Sequence, residues 1–369
     1  MVFLLRVIIN ALVGILVLYM VLAHEPVLAN SNASTLNSPS ALVKPEALLD
    51  GKPVEIKFCI FDPLGKYGDA YLKAQDLVLA ARKWNLFVEL KLYTDERIAA
   101  EDFKAGKCEG TAISTLRAKQ FNLFMGSIDS IGTIPSIEHM RSLVRTLANP
   151  KVIPYTITGK YQIIGVVPLG AAYVFVNDRS IDSIEAAAGK KVAVLGWDPA
   201  QAEMVELMGA APVASDITNF GTKFNNGQVD IIVAPALAYK PLELYKGLEK
   251  NGGIFRFPLA MVTGSIVINR EKMLEKVPDL DTKLLAMREY AFAAVEEAFK
   301  IIEKSESGIA AEHWMTLTPE DENKYSIMMR EARIQLTARG YYDPKMMAIL
   351  KRVRCIHEPT RAECSMSDE

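Results

Sequence analysis

Charged and aromatic side chains stand just past a series of short apolar runs, where a strand-based fold would present groups to a ligand. Asp62, Lys66 and Tyr67 follow Val54–Phe61; Thr94, Asp95 and Arg97 follow residues 87–92; Thr115 and Arg117 follow Gly110–Ser114. Further on, Trp197 and Asp198 follow Lys191–Leu195, and Tyr239 follows residues 231–233. If these runs are parallel strands, a ligand belongs in the crevice outside their carboxyl ends. A guanidinium offers two parallel charge-assisted hydrogen bonds to a carboxylate, and a large aromatic offers a flat face to stack on. Closure of a cleft is therefore expected to bring Arg97 or Arg117 towards Trp197 and Tyr239, around a solute with an anionic group and a flat or apolar body. Asp95 and Asp198 also suit the N-caps of the helical patterns that follow them.

Catalytic chemistry finds no support. No G-x-S-x-G nucleophile elbow occurs. Gly65-Lys66-Tyr67-Gly68 lacks the G-x-x-x-x-G-K-[ST] spacing of a phosphate loop, so no nucleotide or other cofactor is expected. That loop can still present backbone N–H groups at a helix start. The four histidines, His24, His139, His313 and His357, are scattered and there is no C-x-x-C, so no metal is expected. The four cysteines fall into two paired contexts: Cys59 within an apolar run with Cys108 just before another, and Cys355 with Cys364 in a polar C-terminal tail. An even count in those settings predicts the disulfides Cys59–Cys108 and Cys355–Cys364, which require an oxidising compartment.

The elements that must position these residues come from a chain of 369 residues with 42 basic and 44 acidic side chains, net charge −2. That balance argues against a nucleic-acid partner, which demands excess cations to replace phosphate counterions. Residues 7–23 form an apolar run interrupted by Asn10, and Val27-Leu28-Ala29 fits a signal-peptidase site. Export with cleavage is expected, an uncleaved anchor being the alternative. Residues 1–29 are thus assigned to a signal peptide and 30–52 to a flexible leader rich in Ser, Asn and Pro. From Val54 onward, strand-like and helix-like segments alternate: helix over 68–84, strand 87–92, helix 96–105. A second alternating unit has strands at 171–176, Lys191–Leu195 and 231–233. Alternation of this kind predicts a parallel α/β sheet covered by helices. The stretch 128–159 reads as irregular, Ala260–Asn269 as a strand returning to the first unit, and 280–305, 319–339 and 343–354 as helices. The expected architecture is two α/β lobes of the type II periplasmic-binding-protein kind, with 53–165 plus about 262–369 in lobe I and 166–261 in lobe II.

Certain segments carry a family resemblance. YVFVNDRSIDSI (173–184), AGKKVAV (188–194), MGAAPV (208–213) and NGQVDI (226–231) resemble, in order, the second lobe of TRAP-transporter (DctP-like) solute receptors. The resemblance extends over roughly 54–340. Where that family has its carboxylate-binding Arg, this chain has Ala193, so anionic anchoring must come from the first lobe or from helix N-termini. CIFDPLGK (59–66), YTDER (93–97), FKAGKC (103–108), DITNF (216–220) and PALAYKP (235–241) resemble more closely the exported AdeT-type solute-binding subgroup, which also carries a label of RND efflux and aminoglycoside resistance. The chain is too short, and too poor in apolar spans, to be such a pump itself. The resemblance implies a periplasmic, non-enzymatic receptor that captures a small molecule and delivers it to a membrane transporter. An accessory factor of drug efflux and an exported enzyme on the same fold are the alternatives.

Overall fold

The computed structural model describes residues 53–369; the signal-peptide and leader assignments lie outside the described residues. Strand β1 (Val54–Phe61) is followed by helix α1 (Asp69–Ala81), β2 (Leu86–Tyr93), α2 (Glu96–Lys104) and β3 (Gly110–Ser114). Then come helix α3 (Ile137–Leu147), the short β4 (Ile157–Thr158) and the long β5 (Tyr161–Val176). The second unit holds β6 (Lys191–Leu195), α4 (Pro199–Leu207), β7 (Ala211–Ser215), α5 (Phe220–Asn225), β8 (Ile231–Pro235) and β9 (Gly253–Phe255). The chain returns along β10 (Ala260–Asn269) to α6 (Arg270–Lys276), α7 (Leu280–Ala286), α8 (Arg288–Ser307), β11 (Trp314–Met315), α9 (Pro319–Ala338) and α10 (Pro344–His357).

The sheet runs β2-β1-β3-β10-β5-β8-β6-β7. β1 is parallel to β2 and β3, and β6 is parallel to β7 and β8, so each end is an α/β unit of the expected kind. Between them β10, over its whole length, runs antiparallel to the Tyr161–Ala172 part of β5. β3 pairs with the Gly264–Ile268 part of β10 and β8 with the Ala172–Val176 part of β5, so the two long strands join the halves. The register of the β10–β5 pair shifts between Val262 and Thr263. A bulge at that point bends the ladder where it passes from one half to the other.

Three expectations are corrected. The strand expected at 171–176 is the end of the 16-residue β5; its earlier part, with Gly165, Pro168 and Gly170, breaks the period-2 pattern by which strands are recognised. The stretch read as irregular contains α3, whose buried side is His139, Met140 and Leu143 behind a Ser136 N-cap. The helix expected over 280–305 is broken at Met287, and the inward residues of α8 are Val295, Phe299 and Ile302. Leu285 and Tyr290, apolar or aromatic side chains of this region, are exposed.

Both disulfides form. Cys59–Cys108 has a Cα–Cα distance of 5.8 Å and staples β1 to the start of β3, while Cys355–Cys364, at 5.6 Å, folds the tail back onto α10. That tail completes a buried ion cluster. Glu363 and Glu369 accept from Arg354 and Arg333, all four side chains being almost fully enclosed. Arg333 and Arg354 also donate to the carbonyls of Ile131 and Thr133, holding the buried segment after β3. Among the described residues no helix is long and apolar enough to cross a membrane.

Candidate functional site

β3 ends at Ser114, whose hydroxyl caps the helical turn Thr115–Ala118 by accepting from the Arg117 backbone N–H at 3.1 Å. The cap aims the Arg117 side chain along the end of the sheet. Glu96, the first residue of α2, lies beside it because Asp95 caps that helix and accepts from the Arg97 N–H at 2.8 Å. The buried Glu96 carboxylate accepts from the Ser114 N–H and from Arg117 Nε, both at 3.2 Å. Burial pushes its pKa above the usual value, with Ser114 and Arg117 opposing the shift. From the other half, Trp197 places its indole 3.9 Å from the Arg117 guanidinium. Arg117 thus lies between a carboxylate on its Nε side and an aromatic face, and among the described residues its two Nη groups meet no side-chain or backbone acceptor.

These groups border a cavity of about 200 Å³ whose walls include Asp95, Glu96, Arg97, Arg117, Trp197 and Asp216. The first four come from the first half of the sheet and the last two from the second. The indole Nε1 of Trp197 is buried with no hydrogen-bond partner among the described residues, a donor held ready for an acceptor. Arg97 is largely exposed and pairs with Asp95 at 3.2 Å. Asp216 accepts from the N–H and hydroxyl of Thr218 and from Asn219 Nδ2, which fixes the wall on the far side.

Other contacts cross between the halves nearby. Asp198 caps α4, accepting from the Ala200 N–H at 3.2 Å, and faces Lys119 Nζ at 3.9 Å. Glu203 accepts from Tyr341 Oη at 2.9 Å and from Arg339. A larger groove of about 650 Å³ lies at the beginnings of β1 and β2. It is at the wrong end of the strands for a ligand site in an open α/β sheet, and its Glu109 and Lys276 already pair at 2.9 Å.

The structure therefore brings Arg97, Arg117 and Trp197 around one cavity, with Asp198 next to it, and sends the other candidates elsewhere. Asp62 is buried and accepts from the backbone N–H groups of Leu64 at 2.9 Å and Tyr71 at 3.0 Å. The helix start that was to offer free N–H groups is thus filled by the protein's own carboxylate. A Cβ at Gly68 would lie about 2 Å from that carboxylate, so the turn demands glycine. Lys66 is exposed and Tyr67 is 89% exposed, and neither lines the cavity. Tyr239 is a core residue of the second half, packed near Phe175, Tyr245 and His313. Ala193 packs against that same core. Glu96, Lys119 and Asp216 were missed by sequence reasoning. Only the acidic first turn of α2 pointed to Glu96, and it reads equally as a cap.

Two α/β halves joined by long antiparallel strands, with a small polar cavity across the seam at strand ends, define a two-lobe solute-binding protein. The chain belongs to the AdeT family: the family model described as "Solute-binding protein AdeT 1/2" matches residues 77–369. It is 43% identical over 310 residues to "Probable solute-binding protein AdeT1" of Acinetobacter baumannii, covering 84% of this chain and all of that one. It is 28% identical over 250 residues to "Probable solute-binding protein AdeT2" of the same organism, covering 66% and 100%. Among solved structures, a TRAP periplasmic solute-binding protein from Ralstonia eutropha H16 with bound (S)-2-acetolactate superposes with a TM-score of 0.67 at 15% identity, covering 81% of this chain and 98% of that one. One from Desulfovibrio desulfuricans with bound sn-glycerol-3-phosphate gives 0.67 at 14%, covering 85% and 100%. One from Shewanella oneidensis with bound succinate gives 0.66 at 14%, covering 82% and 99%. These likenesses establish the two-lobe fold.

Proposed function

We propose that this protein is an exported, non-enzymatic receptor that captures a small organic acid between its lobes and hands it to a membrane transporter. In this reading residues 53–165 with about 262–369 form lobe I and 166–261 form lobe II, a division supported by the bulge at Leu169 of β5, opposite Val262 and Thr263 of β10. The observation that carries it is Arg117. Glu96 and Trp197 hold its guanidinium at the seam with both Nη groups uncommitted, and the unpartnered Trp197 Nε1 adds a donor from the opposite lobe. An acid whose carboxylate meets Arg117 satisfies groups from both lobes at once, which couples capture to closure. The anions bound by the three solved proteins named above agree with this chemistry. The anchor differs from the TRAP arrangement because Ala193 supplies no charge. Asp95, Glu96 and Asp216 would then discriminate against acids with several exposed charges.

A thermal-shift screen of small mono- and dicarboxylic acids, followed by calorimetry on the best binder, tests the reading. Arg117→Ala should weaken that binder by about 1.5–3 kcal/mol, the range for a hydrogen bond to a charged group, and Trp197→Ala should weaken it with little dependence on salt. Wild-type affinity in both variants would place the ligand elsewhere.

A further inference from the structure

Helix α9 ends in a corner that faces the second half of the sheet. Past its last residue, Ala338, Gly340 takes φ +81° and donates to the Thr337 carbonyl at 2.9 Å, while the Tyr341 N–H donates to the Leu336 carbonyl at 2.9 Å. This pair of bonds closes the helix, and the positive φ at its centre favours glycine. The closed turn fixes the directions of the residues on either side of Gly340. Both reach Glu203 of α4: Tyr341 Oη donates to its Oε1 at 2.9 Å, and Arg339 Nη1 donates to its Oε2. The next residue, Tyr342, is buried with Lys119 Nζ 4.7 Å over its ring, and Lys119 faces Asp198 at 3.9 Å.

On the lobe II side these contacts fall on one element. Trp197 and Asp198 lead into α4, and Ala200 and Glu203 stand three residues apart within it, on one face. Ala200 is buried in the same core cluster as Tyr342, Phe103 and Met140 of lobe I, with Tyr341 packed against it. The Gln201 side chain accepts from the Leu195 N–H at 3.0 Å and ties α4 to the end of β6, from which Trp197 also departs. The loop that carries Trp197 and the helix that carries Glu203 therefore move as one body. Glu203 is not among the walls of the cavity, so its bonds act on the lobes and not on a solute.

We propose that Glu203 is a positioning residue for solute capture: gripped by Tyr341 and Arg339, it holds α4, and with it Trp197, against lobe I, and so sets the share of receptor that is closed before a solute arrives. The three side chains meet only while the lobes are together, because Glu203 belongs to lobe II and its two partners to lobe I. Opening exchanges these bonds for water, so their net worth falls wholly on the open–closed balance. A solute enclosed by both lobes needs the closed form, and its apparent affinity falls with the closed fraction. The proposal rests on the lobe closure invoked above for solute capture, not on the solute being an acid.

The test uses the full mature chain without added solute, spin-labelled at cysteines introduced at the exposed Glu101 of lobe I and Lys250 of lobe II, the four native cysteines being held in disulfides. Pulsed dipolar spectroscopy reads the interlobe distance, and thermal melts check that each variant is folded. The closed-to-open ratio should fall about tenfold in Glu203→Ala and in Tyr341→Phe, the factor that one hydrogen bond to a charged group is worth. Glu203→Gln should keep most of the closed population. Its amide oxygen still accepts from Tyr341, and Arg339 is 54% exposed, where an ion pair adds little. Glu206→Ala, at an exposed position three residues further along α4, should keep the wild-type ratio. A wild-type ratio retained in both Glu203→Ala and Tyr341→Phe, or an equal fall in Glu206→Ala, would overturn the proposal while leaving the lobe motion and the Arg117 site standing. A single distance shared by every variant would overturn the motion and the proposal with it, whereas a negative acid screen counts against the solute reading alone.

Discussion

Glu96→Gln is the sharpest probe of how the candidate anchor is built. The glutamine keeps the side-chain shape and its carbonyl can still accept from the Ser114 N–H. What disappears is the negative charge opposite Arg117, in a pair whose side chains are only 4% and 11% exposed. Removing one member of a buried pair costs about 3–5 kcal/mol because the other charge is left uncompensated. Arg117 escapes part of this: it borders a water-accessible cavity and keeps its stack on Trp197, worth about 1–2 kcal/mol. We therefore expect a loss of about 2–3 kcal/mol in urea unfolding. Arg117→Met leaves the opposite orphan, a buried carboxylate with one backbone donor. Glu96 already has a folded pKa above 4.5, and loss of Arg117 raises it further. A carboxyl with a raised folded pKa favours the folded state below pH 4.5, and that advantage is lost as pH climbs to the folded pKa. Arg117→Met should therefore be more destabilising at pH 8 than at pH 5, whereas Glu96→Gln has no carboxyl to titrate at this position. The double variant should be less destabilised than the two single losses combined, with a coupling of about 1.5–3 kcal/mol. Coupling below about 0.5 kcal/mol, or an Arg117→Met penalty equal at both pH values, would refute the view that Glu96 holds Arg117 by charge.

Further outcomes are expected. Replacing Cys59 and Cys108 by Ala opens a link of sequence separation 49, for which chain entropy gives a loss of about 4 kcal/mol, against about 2.6 kcal/mol for Cys355 and Cys364 at separation 9; denaturant titration with and without reductant measures both. His139 is buried against His357, and its pKa is lowered from 6.5 to about 4, burial first and the neighbouring imidazole second. The unfolded chain therefore takes up a proton before the folded one does, so stability should fall as pH drops from 6.5 towards 4, and His139→Gln should flatten that slope in thermal melts. N-terminal sequencing of the exported protein should find a chain starting near Asn30; residues before Ala23 would argue for a retained anchor.

Local chemistry was enough to read the α/β alternation, β1, β3, β6 and β10, the Asp95 and Asp198 caps, and both disulfides. Each depends on residues adjacent in sequence or on a pairing with few alternatives. The same local reading put Arg97, Arg117, Trp197 and Asp198 at the carboxyl ends of strands, since strand direction is implied by the helix that follows. It could not say what each side chain meets there. Glu96 reaches Arg117 across 21 residues only because β3 lies beside β1 and α2 packs back over them. Asp62 and Tyr239 occupy strand-end positions as good as that of Arg117, yet the first turns inward to cap its own loop and the second into a core. Whether a polar or aromatic group faces solvent, core or cavity is settled by which surfaces the packed elements leave uncovered. The strands joining the halves show this best: Asp129, in a stretch with no periodic pattern, and Thr263, far along the chain, become partners only once β10 runs back beside β3.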